Sequence, residues 1–243
     1  MKKVILLGLC VGLIAFTGCK EDEDPIVTTP TPDSFTVTIE NVFTGKDYFS
    51  AGGTGLIMPG SSESFSFQAG KGHYLQFATM FAQSNDLFYA PGDEGIALYD
   101  NAGSPLTGDI TSMISFWDGG TEVNEEPGVG ANQAPRQAGA NTGDDENGNV
   151  QLLSAVNDGF MYPSVADVIE VTIAHDGGTM FTVTLNNVSG SASVPSPLAP
   201  GAWVVHSAGQ KPLFTSGSAA STALERMAED GDNAMLESSV VDN

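Results

Sequence analysis

The residues with the clearest chemical potential are acidic, and they sit where apolar runs end. Asp118 closes the run Met113 to Trp117, and Glu122 follows four positions later, across Gly119-Gly120. Two glycines let the chain fold back sharply, so both carboxylates can face one point. Asp86 follows a second apolar run, Tyr74 to Gln83. If the two strand ends lie at one edge of the fold, three carboxylates converge. Such a group repels itself unless a cation neutralises it, and Ca²⁺ takes six to eight oxygens, including backbone carbonyls and water. Asp144-Asp145-Glu146-Asn147 is acidic too, but it lacks the alternating EF-hand pattern and reads as a solvated loop. Enzymatic alternatives are weak. His73, His175 and His206 show no metal-ligand spacing, and there is no Gly-x-Ser-x-Gly elbow or phosphate-cradling glycine loop. An Asp/Glu pair can serve glycoside hydrolysis, but Asp118 and Glu122 are better explained as cation ligands, and no enzyme activity is expected. Trp117 and Trp203 lie in apolar runs and are expected in the core rather than on sugars.

The elements that must carry these side chains read as strands. Phe35, Val37 and Ile39 alternate with polar neighbours, as do Phe65 and Phe67, Ile169 to Ile173, and Phe181 to Leu185. Asp176-Gly177-Gly178 joins the last two as a hairpin, because glycine reaches positive φ without strain. Shorter candidates are Gly95 to Tyr99, Met113 to Trp117, Val150 to Leu153 and Ala202 to His206. About eight or nine short strands without alternating helices predict an all-β fold, an antiparallel sandwich. Glu122 to Gly148 is rich in Gly, Asn, Pro and acids and is expected to be a long surface loop. Ala219 to Ala228 carries helix formers and predicts a short helix near the carboxyl end.

Residues 1–18 read as an export signal: Lys2 and Lys3, then an apolar stretch from Val4 to Phe16 too short to span a bilayer. The junction Thr17-Gly18-Cys19 resembles the lipobox of bacterial lipoproteins, which makes Cys19 the expected lipidation site and a lipid anchor in the outer membrane the first partner. Lys20 to Asp24 resembles the surface-export signal of Bacteroidetes lipoproteins, with the periplasmic face as the alternative location. Residues 19–33, acidic and then Thr/Pro-rich, form a tether to a domain over residues 34–243. The only other cysteine, Cys10, lies in the signal, so no disulfide is expected in the domain. A formal charge of −22 disfavours nucleic acid and anionic membrane as partners.

As a group, several motifs resemble the spondin domain, the amino-terminal module of F-spondin-like extracellular proteins and of many bacterial secreted proteins. They are Asp86 with Phe88, Trp117-Asp118-Gly119-Gly120-Thr121-Glu122, Asn124 to Gly128, Gln133-Ala134-Pro135, Asp158-Gly159-Phe160, Pro200 to His206 and Glu229 to Asp232. The resemblance covers roughly residues 34 to 236. It implies a C2-like β-sandwich with one Ca²⁺ site, whose ligands carry over as Asp86, Asp118 and Glu122. Glu122 stands where animal members have Asp, and Leu87 where Trp often follows the first Asp. The expected function is a surface-anchored Ca²⁺-binding lipoprotein for adhesion or matrix contact, with an extracellular protein or glycan as ligand. The alternatives are a glycan-binding or glycan-processing envelope lipoprotein and a purely structural envelope protein.

Overall fold

The computed structural model describes residues 34–40, 42 and 47–242. The export signal, Cys19 and the 19–33 tether lie outside the described residues. The chain divides into two units after Phe43. In the first, residues 34–40 carry no regular secondary structure, and Phe35, Val37 and Ile39 are exposed. The strand expected there is therefore not seen. Alternation supplies one apolar face, but a strand also needs a ladder partner, and among its own unit's described residues it has none.

The second unit is an antiparallel all-β sandwich. In chain order the strands are β1 (Tyr48–Thr54), β2 (Ser62–Gln68), β3 (His73–Met80), β4 (Leu87–Ala90), β5 (Ile96–Ala97), β6 (Gly108–Asp109), β7 (Ser115–Asp118), β8 (Gln151–Leu152), β9 (Ile169–Gly177), β10 (Met180–Asn187) and β11 (Gly201–Ser207). One sheet runs β1-β11-β3-β4-β7-β8, with β5 also on β3; the other runs β2-β10-β9-β6. The alternating runs of β2, β9 and β10 face inward with Phe65, Phe67, Val171, Ile173, Phe181 and Val183. They meet Leu75, Phe77, Phe81, Tyr89, Phe116 and Trp203 of the larger sheet. Trp203 stacks on Phe65 at 4.7 Å between centroids. The β9–β10 hairpin turns on Gly177 and Gly178, at φ 100° and 60°.

The larger sheet is covered on its outer face as well. Short helix α1 (Val165–Val168) leads into β9, while α2 (Thr222–Asp230) and α3 (Ala234–Val241) follow the last strand. Leu224, Met227, Leu236 and Val240 from these two carboxyl-terminal helices pack on Met80, Phe88, Trp117 and Val204. This second apolar layer is why β4 is buried at all four positions instead of alternating. Helix α2 starts where Ser221 accepts from Leu224 N and stops at Gly231, in the left-handed region at φ 67°. Both tryptophans lie in the core as expected, and the indole of Trp117 donates to Ala90 O.

Candidate metal centre

Asp86 and Asp118 are brought together by a strand register. β4 begins one residue after Asp86, β7 ends on Asp118, and Leu87 pairs with Asp118. The chain then turns through the glycine pair. Gly119 N donates to Asp86 O, and a Cβ at Gly119 would sit 3.1 Å from both that oxygen and the Asp86 carboxylate. Gly120 has φ 68°, and a Cβ there would come within 2.7 Å of Asn149 N. No other residue type fits this turn without moving its neighbours.

The turn aims backbone donors at one oxygen of Asp86. Oδ2 accepts from Thr121 N at 2.7 Å, Thr121 Oγ1 at 3.1 Å and Glu122 N at 3.2 Å. The other oxygen, Oδ1, is buried without a hydrogen-bond partner. Asp118 accepts from Gly120 N at Oδ1 and from Asn124 Nδ2 at Oδ2. The third acid of the group is Glu146, not Glu122: one oxygen each of Asp86, Asp118 and Glu146 lies within 4.8 Å of the others. Asp86 and Asp118 are fully buried and Glu146 is exposed, so the group opens to solvent on the Glu146 side.

Glu122 takes a different place. Its backbone N–H serves Asp86, while its buried carboxylate turns away, accepting from Gly143 N at 2.8 Å and Asn85 Nδ2 at 3.3 Å. Through Asn85 it belongs to the network that secures the long loop. Asn85 Oδ1 accepts from Glu125 N and from Gln133 Nε2. Gln133 Oε1 accepts from Gly128 N and from Arg136, which also donates to Gln83. Glu146 N donates to Thr121 O, and Gly148 N to Gly120 O. The segment expected as a surface loop thus returns to the site, and the acidic tetrad read as solvated delivers one of its carboxylates.

Burial, and the Asp118 carboxylate beside it, push Asp86 up to about 8, against the three hydrogen bonds that favour its charged form. Burial raises Asp118 as well, with Asp158 adding to the rise. Glu146 rises through burial and then through Asp118 and Asp158. Asp158 accepts from Phe160 N and from the Tyr162 hydroxyl, and burial together with that bond drives Tyr162 far above the usual phenol value. Buried Glu229 of α2 is raised to about 7 by its burial, with Glu122, Glu225 and Asp230 adding to the rise.

Sequence reasoning did not single out Asn85, Gln133, Glu146, Asp158 or Tyr162 as parts of one neighbourhood. A cue existed for Glu146, whose acidic run sits at the far end of a loop that begins at the site. For Gln133 the cue was its place in the Gln133-Ala134-Pro135 motif, which gave no contact; for Asn85 there was none, since an amide's burial is set by what folds over it. His206 is a buried strand residue whose Nδ1 lies 2.9 Å from Ser207 O. The chain matches no family model, no curated protein and no solved structure.

Proposed function

We propose that the protein is a secreted, lipid-anchored surface module that binds one Ca²⁺ through Asp86, Asp118 and Glu146, and that it serves adhesion or matrix contact without catalysing a reaction. The observation that carries the reading is the unpartnered Oδ1 of Asp86, buried beside two further carboxylates. A buried carboxylate oxygen without a donor is costly, and a hard divalent cation relieves that cost and the repulsion together. The donor set is all oxygen, which suits Ca²⁺ over metals that favour nitrogen or sulfur. Bound there, the ion supplies charge neutralisation and cross-links. Asp118 ends β7, Asp86 immediately precedes its partner strand β4, and Glu146 brings in the end of the long loop. Glu122, placed in the ligand set by the spondin resemblance, orients Asp86 through its N–H and holds the loop through its carboxylate. The spondin assignment and the anchor at Cys19 remain part of this proposal, supported by sequence motifs alone.

Calorimetric titration of chelator-treated protein with CaCl₂ tests it. One site is expected in the wild type, abolished in Asp118→Asn, weakened roughly tenfold or more in Glu146→Gln, and unchanged in Asp145→Asn. Heat lost in Glu122→Gln but retained in Glu146→Gln would restore the ligand set of the spondin resemblance. No heat in the wild type would remove the cation reading.

A further inference from the structure

Beside the carboxylate group, on the same strand, lies an open cleft of about 740 Å³. Phe116, on its floor, and Asp118 are two residues apart on β7 and project from one face, roughly 7 Å apart along the strand. The ring of Tyr162 stands edge-on to Phe116 at 6.1 Å between centroids. Phe160 is half-buried in the wall, and Met161 is 86% exposed at the rim. Asp158 lines the same wall and is held in place by Phe160 N and the Tyr162 hydroxyl. No Lys, Arg or His lines the cleft among the described residues, and the chain as a whole carries −22.

We propose that this cleft takes an Arg or Lys side chain from a basic segment of a partner protein. The charge pattern selects the sign of the occupant: Asp158 stands in the wall, Asp118 and Glu146 lie close behind, and nothing in the lining offsets them. The aromatic lining selects its shape. A guanidinium or ammonium gains from a ring face as well as from a carboxylate, and the alkyl stem of either side chain packs on apolar neighbours such as Met161 and Leu152. An anionic occupant would meet Asp158 with no basic residue in the lining to offset it, and a purely apolar one would leave Asp158 desolvated without a counter-charge. Where Ca²⁺ neutralises Asp118 and Glu146, Asp158 in the lining still selects a cation, so the inference does not rest on occupation of the cation site.

The test uses fluorescence anisotropy with a labelled Arg-rich peptide and a Glu-rich peptide of equal length, at physiological salt, where long-range attraction is screened. All arms contain chelator, so the outcome is separate from the calcium titration. The Arg-rich peptide is expected to bind and the Glu-rich one not. Phe160→Ala, which leaves the charge unchanged, should weaken binding about three- to tenfold, the range of a partly desolvated cation–ring contact. Asp158→Asn should weaken it at least as much, while Asp176→Asn, the same charge change on the β9–β10 hairpin, should leave it within twofold. Melting curves of each variant confirm folding. No binding of the Arg-rich peptide overturns the proposal. So does equal loss in Asp158→Asn and Asp176→Asn with none in Phe160→Ala, which would mean general attraction to an acidic surface.

Discussion

The carboxylate of Asp86 is the residue on which most of the chemistry turns. With its proton affinity raised from an ordinary 3.8 to about 8, the metal-free folded chain holds a proton that the unfolded chain releases. Its contribution to stability is therefore full below 3.8 and is lost as pH rises toward 8. In chelator, the melting temperature of the wild type is expected to fall between pH 5 and pH 8.5 more steeply than that of Asp86→Asn. Ca²⁺ competes with the same proton, so the shift it produces should grow over that range. Parallel profiles for the two proteins would show that Asp86 is not the group responsible. Glu229, raised to about 7, contributes with the same sign, and Glu229→Gln should remove its share of the slope.

At the scale of elements, the 122–148 loop is held by side-chain amides. Gln133 is fully buried, and its side chain bonds to Asn85, Arg136 and the backbone of Glu125, Glu126 and Gly128. Gln133→Ala strands several of those partners in the interior, and a loss of roughly 1–3 kcal/mol is expected, the cost of buried groups left unpaired. Denaturant unfolding measures it. Limited proteolysis should place the first cleavage of this variant between 122 and 148, and unaltered protection of that segment would show that the amide does not hold it. Helix α2 answers to a different force: Leu224 is fully buried in the layer over Met80 and Phe88. Leu224→Ala should cost about 2–5 kcal/mol through the cavity left behind, without altering the stoichiometry of the calcium titration.

For the whole molecule, Ca²⁺ binding should stabilise the folded state by about 2.7 kcal/mol at a hundredfold excess over its dissociation constant. A domain of this size then gains roughly 2–4 °C in melting temperature per kcal/mol. Scanning calorimetry with and without chelator reads the gain directly. No helix among the described residues is long and apolar enough to cross a membrane. The proposed anchor at Cys19 has its own test. Cys19→Ser should release the protein from membranes or leave it unprocessed. A variant that remains membrane-bound and normally trimmed would end the lipoprotein reading.

Much of this was legible in the residues. Phe65/Phe67, Ile169 to Ile173 and Phe181 to Leu185 marked inward faces because a strand repeats every two residues, and Gly177-Gly178 marked a turn because glycine takes positive φ. Asp86 and Asp118 were readable as partners because each ends an apolar run. Other features had no local signal. β1, with Gly52 and Gly53 in its run Tyr48–Thr54, is a strand because β11 pairs with it. Phe35 to Ile39 has the right alternation but no ladder partner among the described residues of its own unit. Which acid joins Asp86 and Asp118 was likewise decided in three dimensions. Glu122 is adjacent in sequence, but its carboxylate is drawn to Asn85 and Gly143, whereas Glu146 returns through backbone bonds from Glu146 to Thr121 and from Gly148 to Gly120. Periodicity and turn chemistry are local properties and can be read along the chain. The path of a long loop depends on which distant buried groups satisfy its polar atoms, and only the folded molecule brings those groups together.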